Sequence, residues 1–512
     1  MFHPPKQDES QIKLQGNPID SGFWRDALAF ILALPMSLQR FQAAKMDFDG
    51  LACRVFQGND PSIRRGRLER EDAPPQKKNA SLRAFGSKEL MARIAVLKGV
   101  VFVGIAKAAE SLISVVFSLV AARILGATEA GYFFLGLTLL FVGSAIFRLG
   151  FDAKLTRVFG SEGTSENSNV VLSLALSTSM VLACSTCVLC NLYSEEIASA
   201  LFSKPEMAHV IRYVSIALIP LTLLNHLGFA FRGMRRAMMT VFSEKLGYLA
   251  IALLSFLLLN SIFGGQMTSL HGSLLLLGAT VLSFVIGLVT WLRQPGTKIA
   301  PRFKIERADL ASNLNLWIAM LMTLTVTWSG VLIGGRFVSA ADVALLASAQ
   351  RVAVLVVFVL LVCDMYVAPR YAKLFAAGDI AQMRRIARLS TRLMLLVALP
   401  LAACLGFFAE SIMALFGAEF RAAGQVLGIM LIGQTVNVAT GSIGQLLTMT
   451  KYEADYRRVT FLAAIVTVVL TLTLGKTFGI VGIAWALTIG TITQNLAGSF
   501  AVKTRLGFFP GL

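Results

Sequence analysis

Charged and amide side chains interrupt long apolar runs of this chain at a few defined places. In GIAKAAES, Lys107 and Glu110 stand three residues apart; in AIFRLGFD, Arg148 precedes Asp152 by four. Both spacings put the two charges on one face of a helix. Arg351 and Asp364 lie thirteen residues apart in a single apolar run. LLNHLGFAFRG carries Asn225 and His226, and IGQTVNVATGSIGQ carries Gln434, Asn437 and Gln445. A charge at mid-bilayer costs roughly 2.5–3.5 kcal/mol on insertion scales, so these residues sit near an interface, pair with one another, or bind something. The chemistry open to the set is recognition of an anion by cations and of hydroxyl-rich groups by amides. Its carboxylates could carry protons or cations.

Catalysis is not indicated. No nucleophile–base arrangement and no phosphate-binding loop after a strand is found, and the Gly-rich SIFGGQMTSLHG is an uncharged loop. CSTCVLC spaces Cys184, Cys187 and Cys190 three apart, but no His or carboxylate in that helix supports a metal site. Small thiols at a packing face explain the spacing better. Six Cys in 512 residues, five of them in apolar helices, make no disulfide framework.

The elements that must position these residues follow from composition. The chain is 56% hydrophobic and 15% charged, with a mean hydropathy of +0.70, more apolar surface than a soluble chain of this length hides. Residues 1–98 hold 16 Lys/Arg against 11 Asp/Glu. The rest of the net +18 charge is scattered over short loops, a membrane pattern rather than a nucleic-acid one. Residues 1–95 read as a polar, basic tail, mostly disordered. Within it FWRDALAFILALPMSL is too short and too interrupted to span, and suits the membrane surface. Met91, opening MARIAVLKGVVFVG, is an equally good place for the chain to start, which would leave the tail dispensable.

Apolar windows of about 20 residues are expected near 99–123, 131–151, 169–193, 208–230, 240–263, 270–292, 313–335, 344–368, 389–409, 423–447, 459–477 and 480–502. With the N-terminus inside, the inner loops carry 20 Lys/Arg and the outer loops 6. This bias predicts that both termini are cytoplasmic, with Arg148 and Asp152 at the inner end of the second span.

A shift of about 213 lays RILGATEAGYF (123–133) on RFVSAADVALL (336–346), matching Arg123 to Arg336 and Glu129 to Asp342. A shift of 214 lays EIASALFS (196–203) on ESIMALFG (410–417). Gly228 maps to Gly441, and Asp152 to within a residue of Asp364. The expected fold is therefore an all-α polytopic membrane protein of 12 transmembrane helices in two six-helix pseudo-repeats. The first lobe is placed at 96–300 and the second at 301–512, related by an axis along the membrane normal, with a substrate path between them.

AARILGATEAGYFFLGLTLLFVGSAIFRLGFDAKLTRVFG (121–160) resembles the opening of Wzx-type polysaccharide flippases of the MOP (multidrug/oligosaccharidyl-lipid/polysaccharide) superfamily. VLIGGRFVSAADVALLASAQR (331–351), MALFGAEFRAAGQVLGIML (413–431) and FGIVGIAWALTIG (478–490) agree in order and spacing. The resemblance covers roughly 97–505 and includes the MATE-like fold. It implies export of a polyprenyl-pyrophosphate-linked oligosaccharide across a bacterial inner membrane, for surface polysaccharide such as O-antigen or exopolysaccharide. It also implies membrane lipids, a polysaccharide polymerase and chain-length machinery as partners, with no cofactor beyond a coupling H⁺ or Na⁺ gradient. Many relatives carry an acid where Ser329 stands here, so a coupling role for that acid does not transfer. A MATE-like drug or metabolite antiporter is the alternative. The Gly…Asp-Arg-x-Gly-Arg loop of major-facilitator transporters is missing after the second span.

On that reading the cavity is electropositive, and each candidate has a structural rival. Arg148 either anchors its span by pairing with Asp152 or meets the pyrophosphate. Lys107 and Glu110 form either a snorkelling pair or part of the cavity. Arg351 is the best single anion-binding candidate, its rival a salt bridge to the other half. Asp364, Asp152 and Glu110 are coupling candidates, Asp364 alternatively balancing Arg370. His226, Gln434 and Asn437 are sugar-binding candidates; for His226 a hydrogen-bonded packing role is the stronger reading.

Overall fold

In the computed structural model the described residues are 75–263, 267–299 and 307–511, and Ala92–Leu512 packs as one compact unit, distinct from Met1–Met91. The surface-helix stretch expected at 23–38 lies outside the described residues, as does the junction at 300–306. No strand occurs among the described residues.

The first half comprises α1 (Pro75–Phe147), α2 (Phe151–Glu162), α3 (Glu166–Leu192), α4 (Ser194–Phe202) and α5 (Ala208–Gly233). It continues through α6 (Ala237–Val241), a π-helical turn (Phe242–Leu246), α7 (Gly247–Phe263) and α8 (Ser269–Leu292). The second half comprises α9 (Arg307–Leu332), α10 (Ala340–Ala353), α11 (Phe358–Ala376) and α12 (Ile380–Phe407). It ends with α13 (Ala409–Ala414), α14 (Gly424–Ala439), α15 (Ile443–Met449) and α16 (Glu453–Leu506). Among the described residues ten stretches are long and apolar enough to cross a membrane, two of them 42 and 54 residues long. Those two hold a pair of spans each, because α1 kinks at Gly126 (φ 73°) and α16 at Gly479 (φ 56°). The twelve expected spans are thus accounted for. Positive φ at a kink is a conformation that glycine alone adopts without a Cβ penalty.

The repeat is visible in irregular features as well as in spans. Short α4 follows the third span as short α13 follows the ninth. The matched acids Glu129 and Asp342 are both capping groups, used differently. Asp342 closes a capping box with Ser339 on its own helix, whereas Glu129 accepts from the Ser269 amide and hydroxyl at the start of α8, both at 2.6 Å.

Each half has its own apolar core. In the first, Trp291 takes the edges of Phe159 and Phe231, each 5.3 Å between centroids, beside Leu155, Leu172 and Leu227. In the second, Tyr371, Met383, Leu446 and Val502 enclose the C-terminal Phe508. Helices approach closely where side chains are small: a Cβ on Gly330 or Gly334 would collide with Leu487 or Ile483, and one on Gly490 with Thr467.

Candidate functional site

The helix ends bearing Lys154, Arg157, Arg232, Arg235 and Arg236 form a basic end; those bearing Arg123, Lys204, Arg336 and Arg421 form the opposite, cation-poor end. At the basic end α1 stops at Phe147, and Leu149 (φ 49°) and Gly150 (φ 76°) make a left-handed turn into α2. Arg148 and Asp152 therefore do not share one helix face, as their spacing suggests. They pair across this turn instead, with Arg148 Nε donating to both carboxylate oxygens at 2.9 Å. The Arg148 guanidinium also reaches Ser144 Oγ (3.4 Å) and Met320 Sδ (3.9 Å) of α9, so it stands at the seam between halves. Beside it the Trp317 indole N–H donates to the Ile146 carbonyl at 2.8 Å.

Lys107 donates to Glu110 at 2.7 Å and also to Glu244 in the π-helical turn. Glu244 accepts in addition from Arg232 at the end of α5. The Phe229 ring joins the two ion clusters, with Arg148 5.5 Å and Arg232 4.8 Å from its centroid. Side-chain exposure is 23% for Lys107, 12% for Glu244, 13% for Arg148 and 45% for Arg232. Three cations thus face three carboxylates. This cluster is electrically balanced, where the sequence suggested an electropositive wall. The reason is Glu244, which the loop charges hid among Arg232, Arg235, Arg236 and Lys245. Its signal was present: a lone acid at the basic foot of an apolar span.

Arg351 lies near the end of α10, just before the 3-10 turn Val354–Val357 that interrupts this span. Its guanidinium stacks 4.3 Å from the Phe134 centroid, which belongs to the first half. Its two terminal nitrogens are buried without a hydrogen-bond partner, so the salt bridge to the other half, one of its two readings, is not made. Next to it Gln350 Nε2 donates to the Thr327 carbonyl at 2.6 Å. Gln434 and Asn437 are half-buried on α14, which packs against α10 and the 3-10 turn; Asn437 Nδ2 donates to Gln434 Oε1 at 3.4 Å.

Asp364 is half-buried in α11 with Ser442 and Gln445 beside its carboxylate, and Oδ1 has no hydrogen-bond partner. It is not balanced by Arg370, whose guanidinium stacks on Tyr366 at 3.6 Å. His226 is fully enclosed: Nε2 lies 2.8 Å from Ser179 Oγ, and Phe151 meets the ring edge-on at 6.3 Å. It ties α5 to α3 and does not line the seam. Cys187 Sγ contacts Asn191, one turn on in the same helix, and Ser215 of α5.

At the cation-poor end the halves are bolted together. Arg123 Nε donates to the Leu415 carbonyl, and its repeat partner Arg336 donates to the Ala200 carbonyl. Lys204 Nζ donates to the carbonyls of Gly335 (2.5 Å) and Val338 (2.8 Å). The Ala127 amide donates to Glu419 at 3.3 Å, and Gly131 leaves no room for a Cβ against the Ala340 carbonyl. Desolvation pushes the Lys204 ammonium below its ordinary 10.5, outweighing Asp342 and Glu206.

The arrangement is thus two helical halves joined at one end, with a charged seam at the other. A family model described as "Polysaccharide biosynthesis protein" matches residues 96–375, and one described as "MatE" matches 316–473. No curated protein sequence matches the chain. Among solved structures, an inward-facing multidrug resistance MATE family transporter of the MOP superfamily superposes with a TM-score of 0.64 at 13% identity. It covers 78% of this chain and 94% of that one. The lipid II flippase MurJ, in its inward closed conformation, gives 0.62 at 14% identity over 79% and 87%. Likeness at this identity concerns the fold. The match over 96–375, more than half of the sequence, concerns descent: the chain belongs to the polysaccharide biosynthesis protein family and is a multi-pass membrane protein.

Proposed function

We propose that this protein flips a polyprenyl-pyrophosphate-linked oligosaccharide from the cytoplasmic to the outer leaflet of a bacterial inner membrane, for surface polysaccharide synthesis. The basic end, carrying most loop cations, is then cytoplasmic, with both termini on that side. The observation that carries the reading is Arg351: buried N–H donors without a partner, held at the seam on Phe134. A diphosphate supplies the acceptors such a guanidinium lacks. Lys107, Arg148 and Arg232 stand where the headgroup enters, and Gln434 and Asn437 offer amides to sugar hydroxyls. Asp364, with one unpartnered carboxylate oxygen, is the coupling candidate of the second half, and Asp152 and Glu110 those of the first. Coupling would draw on an H⁺ or Na⁺ gradient. Membrane lipids flank the path, and a polymerase with its chain-length machinery receives the product.

The MatE match over 316–473 favours a second reading, a cation-coupled drug or metabolite antiporter. One experiment separates the two. Deleting the gene strands undecaprenyl-linked repeat units on the cytoplasmic face if the protein is a flippase. Unaltered glycan and lipid precursors with reduced dye efflux would install the antiporter reading.

A further inference from the structure

Glu244 joins two of the three cations in the basic-end cluster, which come from different helices. Lys107 is on α1 and Arg232 closes α5; both hold the same carboxylate, one through Oε2 and one through Oε1. Among the described residues Glu110 pairs with Lys107, three residues away on its own helix, and Asp152 with Arg148. The π-helical turn sets this geometry. A wider turn re-aims one residue of a helix without ending it, and such turns recur at functional positions. Here two close approaches fix it. A Cβ on Gly247 would collide with the Phe242 ring and carbonyl, and one on Gly228 of α5 with Ser243 Cβ. The turn is pressed against α5 and presents Glu244 to Arg232.

Resting on the flippase reading, we propose that Glu244 is the internal counter-anion of the headgroup site. It occupies Lys107 and Arg232 while the site is vacant, and an entering diphosphate displaces it. Part-buried cations without a partner are expensive to hold, so a resident carboxylate keeps the site assembled between cycles. The same carboxylate limits affinity. A diphosphate gains only the difference between its own contacts and those of Glu244, and on the far side Glu244 recaptures the cations and the substrate leaves. Passage needs binding strong enough to enter and weak enough to exit.

The test uses the full chain in lipid nanodiscs with inorganic pyrophosphate as probe. By titration calorimetry, E244Q binds pyrophosphate about tenfold more tightly than wild type, whereas E110Q changes affinity less, because Arg232 stays paired. In cells E244Q exports more slowly than wild type, and E244D restores both readouts. Carbodiimide labelling of the wild-type protein provides a measurement without mutation: pyrophosphate raises modification of Glu244, read by peptide mass spectrometry. Equal or weaker binding by E244Q, together with labelling of Glu244 indifferent to pyrophosphate, overturns the proposal. If pyrophosphate binds neither form while gene deletion still strands lipid-linked units, the counter-anion fails and the flippase stands. If deletion leaves glycan untouched but E244Q binds pyrophosphate more tightly, the anion site survives and the lipid-linked cargo does not.

Discussion

Removing the two repeat-related arginines from the cation-poor end should open it. Arg123 and Arg336 occupy equivalent positions in the two halves, and each donates to a carbonyl in the equivalent loop of the other half, at Leu415 and Ala200. The bonds are reciprocal, so neither half can swing away without losing both. A hydrogen bond involving a charged group contributes about 1.5–3 kcal/mol net when buried. These guanidiniums are exposed, and exposed ion contacts fall nearer 0–1 kcal/mol; about 1 kcal/mol each is a reasonable discount. Losing both weakens closure by roughly 2 kcal/mol, which multiplies the open-to-closed ratio about 30-fold. Spin labels on the exposed Leu201 and Ala418, one in each half, report the separation. In R123A/R336A their distance distribution should shift to a longer component, with each single variant giving roughly fivefold in population. An unchanged distribution in the double variant would show that the Gly131–Ala340 approach and Lys204 hold this end without the arginines.

Other outcomes follow from the same contacts. Gly131→Val sets side-chain atoms against the Ala340 carbonyl and should prevent closure at that end, seen as a permanently long spin-label distance. Lys204 has its pKa lowered when the end is closed, so the closed form binds protons less well. Closure should therefore strengthen as pH rises towards 10.5 and reach its weaker limit below the lowered value; the K204Q protein should lose that slope. Arg351→Gln should abolish glycan export at normal protein levels, since no carboxylate is stranded by the change, and wild-type export would remove Arg351 from the anion site. Asp152→Asn takes one charge from a pair with 13% and 17% side-chain exposure and should destabilise the protein by roughly 1–3 kcal/mol in detergent unfolding.

The spans were legible because hydrocarbon imposes a length and a composition that any reader can count. So was the duplication, since Arg123 and Arg336 stand in matching stretches at the edge of matching spans. What spacing could not give was the partner of each charge. A spacing of four from Arg148 to Asp152 suggests one helix face, yet Leu149 and Gly150 turn the chain between them and the pair forms regardless. Glu244 escaped notice because its partners are 137 residues upstream and 12 residues upstream, on two other helices. Arg370 illustrates the converse: its nearest acid by sequence is Asp364, but the Tyr366 ring one turn away captures it. Charge counting orients a bundle; it does not say which charges neutralise each other.

The kinks at Gly126 and Gly479 constrain chain length in a way that no single side chain does. Each joins two membrane-crossing segments through a glycine corner with no intervening loop. One residue added on the helical side just after either corner would rotate the rest of that helix by about 100° about its axis. At the first corner that rotation would carry Phe134 away from Arg351. Affinity tags, epitopes and natural insertions should be rejected at these two corners.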